Sequence, residues 1–139
     1  MPIVGESVPR VDALGKVTGE ALYPGDINMP DQAYMKILFA NRPHAIVHRI
    51  DTLAAQSLPG VLAVFTAKDV PVNEYGLIMP DQPVLCGPGS VKPYADRVRF
   101  VGDQIALVIA DTEEIAAQAR DLIQVDYEDL PVVTDVIQA

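Results

Sequence analysis

The chain has 139 residues, 50% of them apolar and 21% charged, which suits a single globular domain and is far from the make-up of a disordered chain. Nineteen acidic against ten basic side chains give a net charge of −9, a field that repels phosphate backbones and anionic lipid surfaces, so no nucleic-acid partner is expected. Cys86 is the single cysteine, so neither an internal disulfide, a thiolate zinc site nor an iron–sulfur cluster can be built from this chain, and a reducing cytoplasm is the expected location.

Met1-Pro2-Ile3-Val4-Gly5-Glu6 lacks the basic stretch and apolar run of a signal peptide. From Gly5 to Asp26 apolar periodicity is weak and Pro9, Gly15, Gly19, Pro24 and Gly25 punctuate the chain, which predicts an irregular lead-in over 5–26, ordered by packing from outside. Ala33 to Ala40 has the period of a strand, with Ala33, Met35, Ile37 and Phe39 expected on its buried face. A second strand is expected over Ala45 to Ile50, then a short helix over Thr52 to Leu58 capped by Asp51 and stopped by Pro59-Gly60. The continuous apolar run from Val61 to Thr66 reads as a central strand covered on both faces.

Pro71, Pro80, Pro83, Gly87, Pro88, Gly89 and Pro93 break the periodic patterns between Val70 and Asp96, so 70–96 is read as a long loop with at most one short strand near Val84-Leu85. Arg97 to Phe100 and Gln104 to Ala110 read as strands parted by a Gly102-Asp103 turn, and Ile105 to Ala110 is far too short to span a bilayer, so no membrane insertion is expected. Asp111 and Glu114 suggest a capping box opening a helix whose stripe is Ile115, Ala116, Ala119, Leu122 and Ile123. A last strand over Ile123 to Tyr127 completes the order β-β-α-β-β-β-α-β, an α+β class rather than a doubly wound sheet.

Two stretches carry a family resemblance. Val8 to Ile27, with Arg10-x-Asp12, Lys16-x-Thr18-Gly19, Ala21-x-Tyr23 and Asp26 in register, resembles the opening of the large subunit of molybdenum hydroxylases: xanthine dehydrogenases, aldehyde oxidases and carbon monoxide dehydrogenases. Val98 to Thr112, continuing through Ala116-Ala117 and Val125 to Pro131, is similar to the end of that family's first domain, and Pro43-His44-Ala45 and Leu58 to Val61 resemble it between them. The resemblance implies the α/β hammerhead fold, a mixed sheet with two helices, over 1–139 as one domain. It also implies an enzyme that hydroxylates a carbon centre, or oxidises carbon monoxide, with water oxygen at a molybdenum–pterin centre, and passes electrons through 2Fe-2S clusters to FAD. In that family the pterin-binding segments and the active-site glutamate lie after the first domain, so the molybdopterin-type molybdenum cofactor is expected in the rest of the large subunit, and the clusters and FAD in partner subunits or domains. The chain would then be a first domain cut from a longer subunit, or a subunit encoded in pieces.

Several residues invite sharper readings. His44 and His48 share a helix spacing, but Pro43, Ile46 and Val47 favour an extended chain that would part them by roughly 13 Å, too far for one ion. Met35-Lys36 resembles the acceptor dipeptide of biotin carriers, yet Lys36 falls mid-strand and reads as solvent-facing. Gly87-Pro88-Gly89 opens no helix and reads as a plain turn, Asp126, Glu128 and Asp129 as a solvated strand face, and Cys86 lacks a partner base. No catalytic, cofactor-binding or metal-ligating residue is therefore assigned. The candidate docking residues are Arg10, Asp12, Lys16 and Thr18, whose polar side chains alternate along the lead-in and suit charge-assisted bonds to the remaining molybdenum-binding domains. The competing reading is a free-standing small-molecule binding or carrier module of the same fold, with a ligand held near 70–96.

Overall fold

Between Asp12 and Gly19 the chain winds into a short helix, α1 (Ala13–Thr18), within the stretch expected to be irregular. Gly15, Val17 and Thr18 are poor helix formers, which hides the helix from propensity arguments. It closes at Gly19, which takes the left-handed conformation (φ 80°) that ends helices. A single 3-10 turn follows at Pro24–Asp26, where the Asp26 carboxylate accepts the Tyr23 backbone N–H at 2.9 Å. The computed structural model describes residues 4–139, and the chain divides into two units, Met1–Gln32 and Ala33–Ala139. No described residue of the first unit is buried. Val8, Val11, Leu14, Val17 and Leu22 are all exposed, so these residues hold no core of their own.

The second unit runs β1 (Tyr34–Phe39), β2 (Ala45–Asp51), α2 (Leu53–Gln56), β3 (Val61–Thr66), β4 (Arg97–Val98), β5 (Gln104–Ala110), α3 (Glu113–Leu122) and β6 (Gln124–Asp129). The strands form two three-stranded sheets, ordered β1-β5-β3 and β4-β2-β6, and every pairing is antiparallel, where one mixed sheet was expected. One core cluster joins Ala45, Val47 and Val98 of the second sheet to Ala40, Cys86 and Ile105. The other packs Val64, Ala106 and Val108 against Ala119 and Ile123, with α2 supplying Ala55. Leu38, Ile50 and Val125 touch both clusters. Alanines at Ala116 and Ala119 leave α3 nothing bulky to hold it off the sheet.

Four details differ from the sequence reading. β5, not β3, is the central strand: β3 is an edge, and Leu62 at its irregularity is exposed. β1 buries the face opposite to the one expected, because Lys36 and Leu38 pair with Val108 and Ala106 on the α3 side while Met35 and Phe39 are turned out. Thr112, not Asp111, caps α3, its hydroxyl accepting the Ile115 N–H at 3.2 Å. β4 stops at Val98 because the Asp103 carboxylate captures the N–H groups of Arg99 (2.6 Å) and Phe100 (3.3 Å), withdrawing them from the ladder. At Gly60 the backbone has φ +88°, and a Cβ there would lie 2.7 Å from Ile115, so the turn after α2 both requires glycine and seats α3.

Candidate functional site

Asp12 stands at the N-cap position of α1 but makes no capping bond. Its carboxylate instead gathers the Arg10 guanidinium, which bonds both oxygens, and the Lys16 ammonium one helical turn on, at 2.6 Å. Arg10 foremost, then Lys16, holds the Asp12 carboxyl below its ordinary value. Thr18 stays apart: its hydroxyl donates to the Leu14 carbonyl at 2.9 Å. Three of the four candidate docking residues thus form one exposed charge cluster beside the exposed apolar positions Val11, Leu14 and Val17. The fourth is spent on its own helix.

His44 and His48 bracket the start and middle of β2 and serve different partners. His44 Nδ1 lies 2.9 Å from the Pro131 carbonyl, and His48 Nε2 lies 2.9 Å from the Glu128 carboxylate across the β2–β6 pair. Asp129 sits 3.7 Å from Arg42, whose guanidinium lies over the Tyr127 ring at 5.5 Å. Asp126 and Glu128 share the exposed side of β6. Among the described residues no three His, Cys, Asp or Glu side chains converge on a common point.

Lys36 is partly exposed and lies on the same side of β1 as α3. Its stem runs over the α3 side of β1, where a lysine can cover apolar surface while its ammonium stays wet, and the ammonium pairs with Glu113 in the first turn of α3. The Lys36 ammonium holds the Glu113 carboxyl below its ordinary value. Cys86 is buried in the inter-sheet cluster, and burial foremost, then the nearby Asp103 carboxylate, pushes its thiol up to about 12. A thiol so placed stays protonated at neutral pH and is unsuited to attack or to metal ligation.

Residues 70–96 form no helix or strand after the 3-10 turn at Ala67–Asp69, and the stretch expected near Val84-Leu85 is not a strand. A lone bridge pairs Tyr75 with Gln82. What orders the loop is Asn73, a residue the sequence reading passed over. Buried at 1% exposure, its amide donates to the Leu85 carbonyl (2.8 Å) and the Ser90 hydroxyl (3.0 Å), and its oxygen accepts the Leu85 N–H (2.8 Å). Beside the loop is an open cleft of about 360 Å³ lined by Tyr75, Asp81, Gln82, Arg99, Phe100 and Asp103 among others. Two of its polar groups are engaged locally, Asp103 by the backbone of its own turn and Arg99 by the Arg97 carbonyl.

The sequence profile described as aldehyde oxidase and xanthine dehydrogenase, a/b hammerhead domain, matches residues 18–131. The chain belongs to that family. It is 49% identical over 125 residues to a probable xanthine dehydrogenase component of Bacillus subtilis, covering 89% of this chain and 16% of that protein. It is 34% identical over 131 residues to the carbon monoxide dehydrogenase large chain of Afipia carboxidovorans, covering 94% of this chain and 16% of the relative. The reconstituted CO dehydrogenase from Oligotropha carboxidovorans superposes with a TM-score of 0.83 at 32% identity, over 97% of this chain and 16% of that one. The hammerhead domain is therefore a small part of each of these molybdenum hydroxylase large subunits, and the α/β hammerhead class expected from the sequence is the class of this chain. None of the described helices is long and apolar enough to cross a membrane.

Proposed function

We propose that residues 1–139 act as the structural and interface domain of a molybdenum hydroxylase large subunit working in the cytoplasm. The whole enzyme would hydroxylate a carbon centre, or oxidise carbon monoxide, with water oxygen. The molybdenum–pterin group supplies that chemistry from the rest of the subunit, and 2Fe-2S clusters and FAD in partner subunits or domains would carry the electrons away. The residues described do not fit any of these groups: the lone thiol is buried and protonated, His44 is turned to the Pro131 carbonyl, and Glu128 and Asp129 are engaged by His48 and Arg42. No catalytic step is assigned to this chain.

The observation that carries the reading is the hammerhead match over 18–131 to proteins of which the chain spans 16%. The Arg10–Asp12–Lys16 cluster and its exposed apolar neighbours support the lead-in as one docking element, since charge-assisted bonds and uncovered apolar side chains together suit a partner surface. Thr18 would contribute by closing α1 rather than by direct contact.

The test replaces the matched segment of the Bacillus subtilis protein with this chain and measures recovery of soluble, folded protein. The proposal expects recovery near that of the native protein and a several-fold loss when residues 5–26 are deleted. Equal recovery with and without 5–26 would remove the docking role of the lead-in.

A further inference from the structure

The sheet β1-β5-β3 carries apolar residues on both faces, and its one charged residue, Lys36, is on the α3 side. Its inner face, with Val64, Ala106 and Val108, lies under α2 and α3. On the outer face the register aligns Met35, Ile109 and Ala63 in one row across the strands and Ile37, Leu107 and Phe65 in the next. None of these six carries a charge. Met35 is 54% and Phe65 39% exposed, and the other four are partly exposed. An antiparallel sheet with one wet face alternates apolar with polar residues; here Val61–Thr66 and Gln104–Ala110 run apolar almost throughout, the pattern of strands covered on both sides.

We infer that this outer face is the seat of the remaining domains of the large subunit, an inference that rests on the reading of the chain as one domain of that subunit. Size separates this occupant from a second copy. Three strands at about 4.8 Å spacing and about five residues at 3.3 Å rise give a patch of about 250 Å². A stable interface between separate molecules buries about 800 Å² per partner, so two copies meeting on this face would hold together poorly. Domains of one polypeptide face no such threshold, because the linking chain holds them at an effective concentration of about millimolar, where a small, dry, uncharged patch suffices. An aliphatic and aromatic surface without charge also has the make-up of a permanent contact rather than a transient one.

The test uses the Bacillus subtilis protein carrying this chain in place of its matched segment, with Met35→Glu and Phe65→Lys introduced together. Recovery of soluble protein is expected to fall at least tenfold, while Glu114→Lys on the exposed side of α3 leaves it unchanged. The isolated chain bearing the same pair should melt within a few degrees of the unsubstituted chain; if the charged pair unfolds it, Met35→Gln with Phe65→Gln takes its place. Equal recovery with and without the substitutions would overturn the assignment of the face. An isolated chain that is dimeric, and that the pair renders monomeric, would overturn it in favour of a second copy. Failure of the unsubstituted chimera would instead bring down the reading of the chain as one domain of a large subunit, and the inference with it.

Discussion

Asn73 offers the sharpest test of how the long loop is held. Replacing it with alanine strips the partners from the Leu85 N–H and carbonyl, in a residue that is fully buried. An orphaned buried polar group costs about 1–3 kcal/mol, so the two together set a ceiling of about 6 kcal/mol, and water entering the vacated volume brings the expected loss to about 3 kcal/mol. For a domain of this size that is a fall in Tm of about 10 °C. Urea unfolding followed by far-ultraviolet circular dichroism measures it directly. Asn73→Asp adds a pH signature. The carboxylate still accepts the Leu85 N–H but faces the Leu85 carbonyl without a proton to donate, so its pKa in the folded protein is expected above the ordinary value of about 3.9. A folded state that binds the proton more tightly than the unfolded chain loses stability as pH rises through that interval. The aspartate variant should therefore be more destabilised, relative to the parent, at pH 7 than at pH 4. A loss below about 0.5 kcal/mol for the alanine variant, within the ordinary range for surface changes, or an aspartate variant insensitive to pH, would refute the reasoning.

The Cys86 thiol, raised from 9.0 to about 12 by burial, keeps its proton in the folded state while the unfolded chain loses it, so the parent should lose stability relative to Cys86→Ala between pH 9 and 12. Paired chemical melts at pH 8 and pH 10.5 check this, and a thiol reagent at pH 8 should label the folded chain only as fast as it opens. Lys36→Met removes the cation that depresses Glu113, so the Glu113 carboxyl should return upward toward its ordinary value, as read by NMR titration. In the parent the stabilisation from that depressed carboxyl is present above its unfolded pKa and fades as pH falls through the folded one; the variant should lack this acid-side loss. Thr112→Ala removes the cap of α3 and should destabilise by about 1 kcal/mol in the same melts, whereas Asp111→Ala should change far less.

From Tyr34 onward, element order was legible from the chain itself because it depends on local signals, whereas α1 was not. The β-branched run at Ala45 to Ile50, the Pro59-Gly60 stop, and the switch from helical to alternating period near Ile123 all act within a few residues. The family was legible too, through Arg10-x-Asp12 and the run from Val98 to Thr112. What tertiary structure alone decided was which side of each strand faces inward. Met35, Ile37 and Phe39 form the better apolar row by composition, yet β1 turns Tyr34, Lys36 and Leu38, each partly buried, to the α3 side while Met35 and Phe39 stay exposed, because pairing with β5 places them there, where a lysine stem can lie with its ammonium on Glu113. The continuous apolar run from Val61 to Thr66 predicts two covered faces but cannot place the strand at an edge. Asn73 left no mark in the sequence, since its partners stand twelve and seventeen residues away. Short-range preference is written in neighbouring residues; the burial of a face and the partner of a buried amide arise only when distant segments meet.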